Sequence, residues 1–161
     1  MTDEQKPNFI NRGGLWILAQ IPLLFFAYAI PKLTSGPGYT SSATFPHHIG
    51  AVIVVVGVTV LILGLMKLGP ALTPFPRPQE QGVLQEHGIY RWMRHPIYSG
   101  LIVASLGWTL YWASLSGFVP TLALAVFFDR KAAREELWLE QKYSAYADYR
   151  RRVYKFWPGL Y

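Results

Sequence analysis

The segment from Gly88 to Gly100, Gly-Ile-Tyr-Arg-Trp-Met-Arg-His-Pro-Ile-Tyr-Ser-Gly, concentrates side chains that could bind or react. It holds two arginines, one histidine and three aromatic residues, and it leads into residues 97–128, which carry no charged side chain. Charged and aromatic residues at the edge of a membrane-length apolar block are typical of the water–lipid boundary. Such a position suits an enzyme that brings a water-soluble cofactor to a lipid-soluble substrate.

A second polar cluster, residues 129–136, follows the same apolar run and includes Arg130, Lys131 and the pair Glu135-Glu136. If the run forms a helical hairpin, both clusters emerge on one side of the membrane. Together they suit a ligand with both charges, because a sulfonium can lie against aromatic faces, an amino group against a carboxylate, and a carboxylate against arginine. The alternatives are an aromatic belt with snorkelling arginines and, for the Glu pair, a solvated helix face with an ordinary Lys131–Glu135 pair.

Three apolar blocks must position these clusters. Residues 13–30, closed by Pro31-Lys32, and residues 49–66 are each close to the roughly 20 residues that cross a bilayer as a helix. As one helix, residues 97–128 would span about 48 Å, too long for a core of about 30 Å. Ser114–Gly117, followed by Pro120, marks a break. We therefore predict two short helices joined by a tight turn, the second continuing past Asp129 into water.

The fold class predicted is an all-α integral membrane protein with about four transmembrane helices, the last two a short hairpin. A C-terminal cytoplasmic amphipathic helix should follow over residues 129–152, which contain neither Gly nor Pro. We expect a single membrane domain in which residues 1–70 form two transmembrane helices and residues 71–161 form the ligand-binding core. The proline-rich residues 72–78 are either a stiff linker or the wall of a cleft.

Composition agrees with a membrane protein, since 52% of residues are hydrophobic and 15% are charged, against about 25% charged in soluble domains. The absence of cysteine excludes disulfides and thiolate chemistry. The net charge of +6 lies beside the apolar blocks, so we expect no nucleic-acid binding. His47 and His48 have no third ligand in reach, and we predict no metal site.

The basic residues also predict the orientation in the membrane. Fourteen of the fifteen lie in three stretches, which are the N-terminal tail, residues 67–96 and the tail from residue 129. The positive-inside rule places all three stretches, and therefore both termini, in the cytoplasm. We expect the membrane to be that of a bacterial or archaeal cell.

At this point the sequence resembles a known family. The pattern Leu84…Gly88-x-Tyr90…Arg94-His95-Pro96-x-Tyr98-x-Gly100 is similar to that of the isoprenylcysteine carboxyl methyltransferases and related phospholipid methyltransferases. So is the later pattern Asp129-Arg130…Glu135-Glu136…Tyr146-x-x-Tyr149, ending at Pro158. The resemblance covers roughly residues 72–158 and implies that S-adenosylmethionine (S-adenosyl-L-methionine) is the cofactor.

The resemblance also implies roles for single residues. Arg130 would be the catalytic residue that meets the carboxylate of the substrate. The residues expected to bind the cofactor are Val83, Leu84, Tyr90, His95, Pro96, Ile97, Tyr98, Gly100, Glu135 and Glu136. If the family pattern is aligned through Asp129-Arg130, its two glutamates fall one residue before Glu135-Glu136. Which glutamate meets the cofactor is therefore left open. Lys142-Tyr143-Ser144 replaces the Phe-Gly that the family pattern has, which leaves the methyl acceptor open.

The function predicted is therefore S-adenosylmethionine-dependent methyl transfer to a lipophilic acceptor, an isoprenylcysteine-like carboxylate or a lipid, at the cytoplasmic membrane interface. The alternatives are a membrane reductase of the sterol-reductase type that uses NADPH, and a small membrane protein without enzymatic activity. The partners expected are the lipophilic substrate and membrane lipid, with the oligomeric state left open.

Overall fold

A computed structural model describes residues 9–10, 13–35, 45–69, 73, 75–76 and 82–160. Within these ranges the chain is helical, with one isolated β-bridge and no strand, so the predicted all-α class is confirmed. A one-turn 3-10 helix, Gly88–Arg91, precedes the third α-helix. The α-helices are α1 (Gly14–Thr34), α2 (Phe45–Leu68), α3 (Pro96–Tyr111), α4 (Phe118–Lys142) and α5 (Tyr146–Arg152).

Within the described residues, α1 and α2 are the two helices that are long and apolar enough to cross a membrane. Both turn large apolar side chains outward, among them Ile21, Phe25, Val52 and Val55. Lipid covers such faces in a membrane protein, where water would oppose their exposure. The crossing of the membrane by α3 and α4 stays a prediction, because the 16 residues of α3 span only about 24 Å.

The first helix runs further than the sequence predicts. The predicted end at Pro31-Lys32 is wrong, because α1 continues through Pro31 to Thr34. Pro31 is buried against the turn that contains Gly117, where a Cβ would lie 2.8 Å from the Pro31 ring. The Thr34 hydroxyl donates to the Ile30 carbonyl oxygen at 2.7 Å and supports the last turn. Membrane helices tolerate an internal proline, although its missing N–H leaves one backbone carbonyl without its helical donor.

Helices α2 and α3 pack backbone against backbone. Gly50, Gly57 and Gly64 repeat at every seventh residue on the face of α2 that meets α3. A Cβ at Gly57 would lie 2.4 Å from the Ala104 backbone nitrogen, and one at Gly100 would lie 2.6 Å from the Gly57 carbonyl oxygen. Only glycine allows helices to approach so closely, an arrangement common in membranes.

Helices α3 and α4 form the predicted hairpin, with residues 112–117 as the connection. Near this turn the Ser105 and Thr121 hydroxyls are 2.9 Å apart, and farther from it the Tyr98 and Phe128 rings stack at 4.7 Å. The pairs separate in sequence as they leave the turn, so the two helices are antiparallel. The hydroxyls inside the hairpin satisfy one another, as buried polar groups must.

The single helix predicted over residues 129–152 is wrong, because α4 ends at Lys142 and α5 begins at Tyr146. Tyr143 is extended, and its backbone N–H closes α4 by donating to the Leu139 carbonyl oxygen at 2.8 Å. Its hydroxyl donates to the Gly82 carbonyl oxygen. The Gly82 carbonyl belongs to the loop before α3 and holds Tyr143 out of the helix. Helix propensity alone does not predict this contact.

After α5 the chain returns to the start of α3. The backbone N–H of Arg94 donates to the Tyr154 carbonyl oxygen at 2.8 Å, and that of His95 donates to the Lys155 carbonyl oxygen at 3.1 Å. The C-terminal segment therefore fixes the backbone of the two residues that lead into α3.

Candidate functional site

A cavity of about 180 Å³ lies at the end of the bundle where α1 and α3 begin and α2 ends. This volume is more than ten times the roughly 10–15 Å³ that one water needs, so the cavity has room for an organic ligand. Its wall comes from α1 to α5 and from the loop before α3. The two polar clusters of the sequence therefore meet at one place.

The start of α3 positions the first two side chains of the site. Pro96 occupies the first turn of α3, where its missing N–H costs nothing. The Ser99 hydroxyl ties this turn to the C-terminal segment by donating to the Phe156 carbonyl oxygen at 2.9 Å. The His95 ring is buried and stacks on Tyr98 at 5.5 Å with an interplanar angle of 7°. Both rings therefore have fixed orientations.

Glu136 lies behind His95, away from the cavity. Arg94 Nε donates to Glu136 Oε1 at 2.8 Å, and His95 Nε2 lies 3.1 Å from the same oxygen. Burial by itself raises the pKa of Glu136, but the hydrogen bonds with His95 and Arg94 lower it to about 2. An ionised carboxylate only accepts hydrogen bonds, so His95 Nε2 carries the hydrogen.

Glu135 has the opposite environment and lines the cavity. Burial raises the pKa of Glu135, although His95, Tyr98 and Lys131 act against that shift. Its Oε2 accepts the Tyr98 hydroxyl at 2.9 Å and lies 3.8 Å from His95 Nδ1. Of the two glutamates, Glu135 is the one whose carboxylate a ligand in the cavity can reach.

Tyrosines form the outer wall of the cavity. The Tyr149 hydroxyl donates to the Tyr90 carbonyl oxygen at 2.7 Å. The Tyr146 hydroxyl is buried and has no hydrogen-bond partner in the part of the chain that the structure describes. Burial raises the pKa of all three tyrosines, so they stay neutral. Because an unpartnered buried hydroxyl costs about 1–3 kcal/mol, a polar atom that enters the cavity can stabilise the protein by bonding to the Tyr146 hydroxyl.

Lys131 of α4 and Gln20 of α1 lie together in the cavity wall. Lys131 is only 2% exposed, and its ammonium donates to the Gln20 amide oxygen from α1. The same ammonium lies 5.4 Å from the centre of the Tyr98 ring. A cation at this depth is costly without an anionic or aromatic partner.

The residues predicted to bind the cofactor divide into two groups. Seven of them line the cavity: Val83, Leu84, Tyr90, His95, Ile97, Tyr98 and Glu135. Three do not: Pro96 forms the first turn of α3, Gly100 packs against α2, and Glu136 pairs with Arg94. Arg130, predicted to meet the substrate, is exposed and lies outside the cavity wall.

Sequence reasoning gave no role to eight further polar residues that line the cavity. They are Gln20, Thr73, Gln85, Arg94, Lys131, Tyr143, Tyr146 and Tyr149. Gln20 interrupts the apolar residues 13–30, and a polar residue inside a membrane segment is a signal of function. Tyr146 and Tyr149 belong to the quoted family pattern but received no role. Within the described residues no group of three or more acidic or histidine side chains could hold a metal ion.

Comparisons with known proteins agree with these features. The sequence model described as phospholipid methyltransferase matches residues 45–146. Two proteins named probable protein-S-isoprenylcysteine O-methyltransferase, from Oryza sativa subsp. indica and subsp. japonica, are each 32% identical over 120 residues. These alignments cover 72% of this chain and 63% of each relative, so the chain spans less than two thirds of their length. No solved structure matches the chain significantly.

Proposed function

Because this chain belongs to the phospholipid methyltransferase family, we propose that it transfers a methyl group from S-adenosylmethionine to a lipophilic acceptor. The acceptor is an isoprenylcysteine-type carboxylate or a phospholipid, and transfer takes place at the cytoplasmic surface of the membrane. The observation that carries this proposal is the cavity itself, which joins a carboxylate, stacked aromatic rings and an unpartnered hydroxyl at the end of a membrane bundle.

The cavity residues fit the cofactor. When bound, S-adenosylmethionine supplies a methyl group made electrophilic by its sulfonium. The Glu135 carboxylate can accept hydrogen bonds from the amino group of the methionine part. The face of the Tyr98 ring can lie against the sulfonium cation. The Tyr146 hydroxyl can bond a polar atom of the adenosine part. Each of these groups lines the cavity, so one ligand can meet all three.

For methyl transfer the protein mainly has to align the acceptor and exclude water. A carboxylate acceptor needs no base, whereas an amine acceptor must lose a proton. His95 holds its Nε2 hydrogen toward Glu136, so Nδ1, 3.8 Å from Glu135, is the ring nitrogen that can receive a proton. The same residues therefore suit either acceptor class.

Apolar residues in and around the cavity support a lipophilic acceptor. Leu68 at the end of α2 and Leu101 in α3 line the cavity beside the polar residues. The neighbouring helices α1 and α2 are apolar on their outer faces. An acceptor can keep its hydrocarbon chain in the membrane while its reactive head enters the cavity.

A thermal shift experiment tests the cofactor. Full-length protein in detergent is heated with S-adenosylhomocysteine, with NADPH or with neither. A ligand that binds only the folded state raises the melting temperature, so we expect a rise with S-adenosylhomocysteine alone. A rise with NADPH instead, or none with S-adenosylhomocysteine at saturating concentration, would contradict the proposed function.

A further inference from the structure

The charged residues of the cavity are ordered along α4. Lys131, Glu135 and Leu139 recur at every fourth residue and all line the cavity, so they form one stripe with about 6 Å between neighbours. Lys131 lies at the end nearest the buried Phe128 and bonds to Gln20, a residue within the candidate membrane span α1. The stripe therefore has its cation at the membrane end and its carboxylate in the middle.

This order separates two kinds of ligand group. The positively charged parts of the proposed cofactor are attracted to Glu135 and repelled by Lys131. An anion that enters from the membrane meets the Lys131 ammonium first. The Gln20 amide oxygen accepts from that ammonium and carries no charge, so Gln20 positions the cation without neutralising it.

We propose that Lys131, positioned by Gln20, binds an anionic group of the acceptor, either a carboxylate or a phosphate. This inference rests on the proposed function and names the residue that recognises the acceptor head. It replaces Arg130, which is exposed and outside the cavity wall, with its neighbour, which is buried inside it. An exposed arginine next to an apolar segment has the ordinary role of a flanking residue.

The test compares variants of the full-length protein reconstituted in lipid vesicles. Lys131→Met removes the charge but keeps the length of the side chain, Lys131→Arg keeps the charge, and Gln20→Leu removes the amide. Arg134→Met is the matched control, because Arg134 is an exposed cation one turn along the same helix. Two acceptor probes distinguish the source of the anion: S-farnesylcysteine for a carboxylate and phosphatidylethanolamine for a phosphate. The measurements are KM and kcat for each probe and the affinity for S-adenosylhomocysteine.

Lys131→Met should raise KM for the accepted probe about tenfold or more while the S-adenosylhomocysteine affinity changes less than about twofold. Lys131→Arg should recover most of the loss, Gln20→Leu should produce a smaller rise in KM, and Arg134→Met should match the wild type. The probe whose KM rises identifies the anion as carboxylate or phosphate.

Three results would overturn the inference. One is a fall in S-adenosylhomocysteine affinity as large as the rise in KM, which would assign Lys131 to the cofactor. Another is an unchanged KM in Lys131→Met, or a rise in KM produced instead by a further variant, Arg130→Met, measured with the same probes. The last is a wild type that binds S-adenosylhomocysteine and transfers to neither anionic probe. A wild type that does not bind S-adenosylhomocysteine refutes the proposed function itself, so the two failures are distinguishable.

Discussion

At the level of single residues, the site depends on how the two adjacent glutamates are bonded. Glu136 accepts from Arg94 and from His95, so its charge is neutralised inside the protein. Glu135 accepts the neutral hydroxyl of Tyr98 and turns toward the cavity. Because consecutive helix residues point about 100° apart, Glu136 can bond to Arg94 and His95 while Glu135 faces the ligand.

The pKa shift of Glu136 predicts how stability depends on pH. Its pKa falls from about 4.5 to about 2 on folding, so its ion pair stabilises the protein above pH 4.5. This contribution, on the order of 3 kcal/mol, is lost as the pH falls from 4.5 toward 2. Glu136→Gln should therefore lower the melting temperature at pH 6 and flatten its decline in acid, as differential scanning fluorimetry would reveal.

Glu135→Gln is the control for that series. Burial raises the pKa of Glu135, so its protonation favours the folded state and its stabilising contribution is lost as the pH rises. This variant should keep or raise the melting temperature at pH 6 and should weaken S-adenosylhomocysteine binding. Equal destabilisation by both variants would show that the two glutamates do not have separate roles.

The unpartnered Tyr146 hydroxyl gives a second prediction at this scale. Tyr146→Phe removes a buried polar atom that lacks a partner, so the melting temperature without ligand should stay the same or rise. Affinity for S-adenosylhomocysteine should fall about threefold to tenfold, the value of one hydrogen bond.

Tyr149→Phe is the matched control for Tyr146→Phe, because the Tyr149 hydroxyl donates to the Tyr90 carbonyl oxygen. It should lower the melting temperature whether or not ligand is present. If Tyr146→Phe behaves in the same way, with lower stability and unchanged affinity measured by calorimetry, the hydroxyl has no ligand to bond.

At the level of helices, the close contact of α2 and α3 sets the position of the site. Gly100 belongs to this contact and lies four residues after Pro96, so the same helix that packs on α2 carries Tyr98 into the cavity. The resemblance to a family explains why a glycine recurs at this point in the pattern but not what it does. The contact with Gly57 across the interface shows that Gly100 is needed because α2 leaves no space for a side chain there.

Even the single methyl group added by Gly57→Ala should therefore clearly lower the stability of the protein. In Gly57→Ala the added Cβ would lie 2.4 Å from a backbone atom of α3, which cannot move out of the way as a side chain can. Overpacking of this kind costs about 1–3 kcal/mol. We expect a clearly lower melting temperature and weaker S-adenosylhomocysteine binding.

Val55→Ala, at an exposed position of the same helix, should have little effect on either measurement. A melting temperature for Gly57→Ala as high as that of Val55→Ala would mean that α2 and α3 do not approach so closely.

The sequence predicts helices better than it predicts how they meet. Long apolar blocks and a Ser-Gly turn were enough to predict the helices α1 to α4, because hydrophobic length and turn residues are local signals. The end of α4 was missed because Tyr143 is held by Gly82, a contact between distant parts of the chain. Of the proline-rich segment 72–78 the structure describes residues 73, 75 and 76, and of these three Thr73 lines the cavity.

The site follows the same division between local and distant signals. The family pattern identified His95, Tyr98 and Glu135, which line the cavity, but it could not distinguish Glu135 from Glu136. Gln20 escaped attention because it comes from α1, more than a hundred residues from its partner Lys131. Such a pairing depends on the packing of α1 against α4, which no local pattern contains.

At the level of the whole molecule, several helix ends meet at one end of the bundle, and the orientation in the membrane stays a prediction. The start of α1, the end of α2 and the start of α3 all meet at the cavity, and α4 passes it on the way to its own end. The basic residues of the sequence cluster in the same parts of the chain. One end of the bundle therefore collects both the cavity and the positive charge, as expected of a cytoplasmic face.

Labelling of introduced cysteines tests this orientation. The natural chain has no cysteine, so Thr40→Cys and Ala145→Cys each provide a single reactive thiol. Position 40 falls between α1 and α2, and Ala145 falls between α4 and α5. A membrane-impermeant maleimide added to intact cells should label position 40 and spare position 145 until the membrane is opened. Labelling of both positions from the outside would contradict the predicted topology.

The pairing of the C-terminal segment with the start of α3 bears on the order in which the protein is made. Arg94 and His95 take their backbone partners from Tyr154 and Lys155, about sixty residues later. During synthesis the N-terminal parts of a chain fold first, so the candidate membrane spans α1 and α2 can enter the membrane while these partners are still untranslated. The ring of His95 can then reach its final position only once the ribosome has passed codon 155, and a message cut short before that point would yield inserted helices without a completed site.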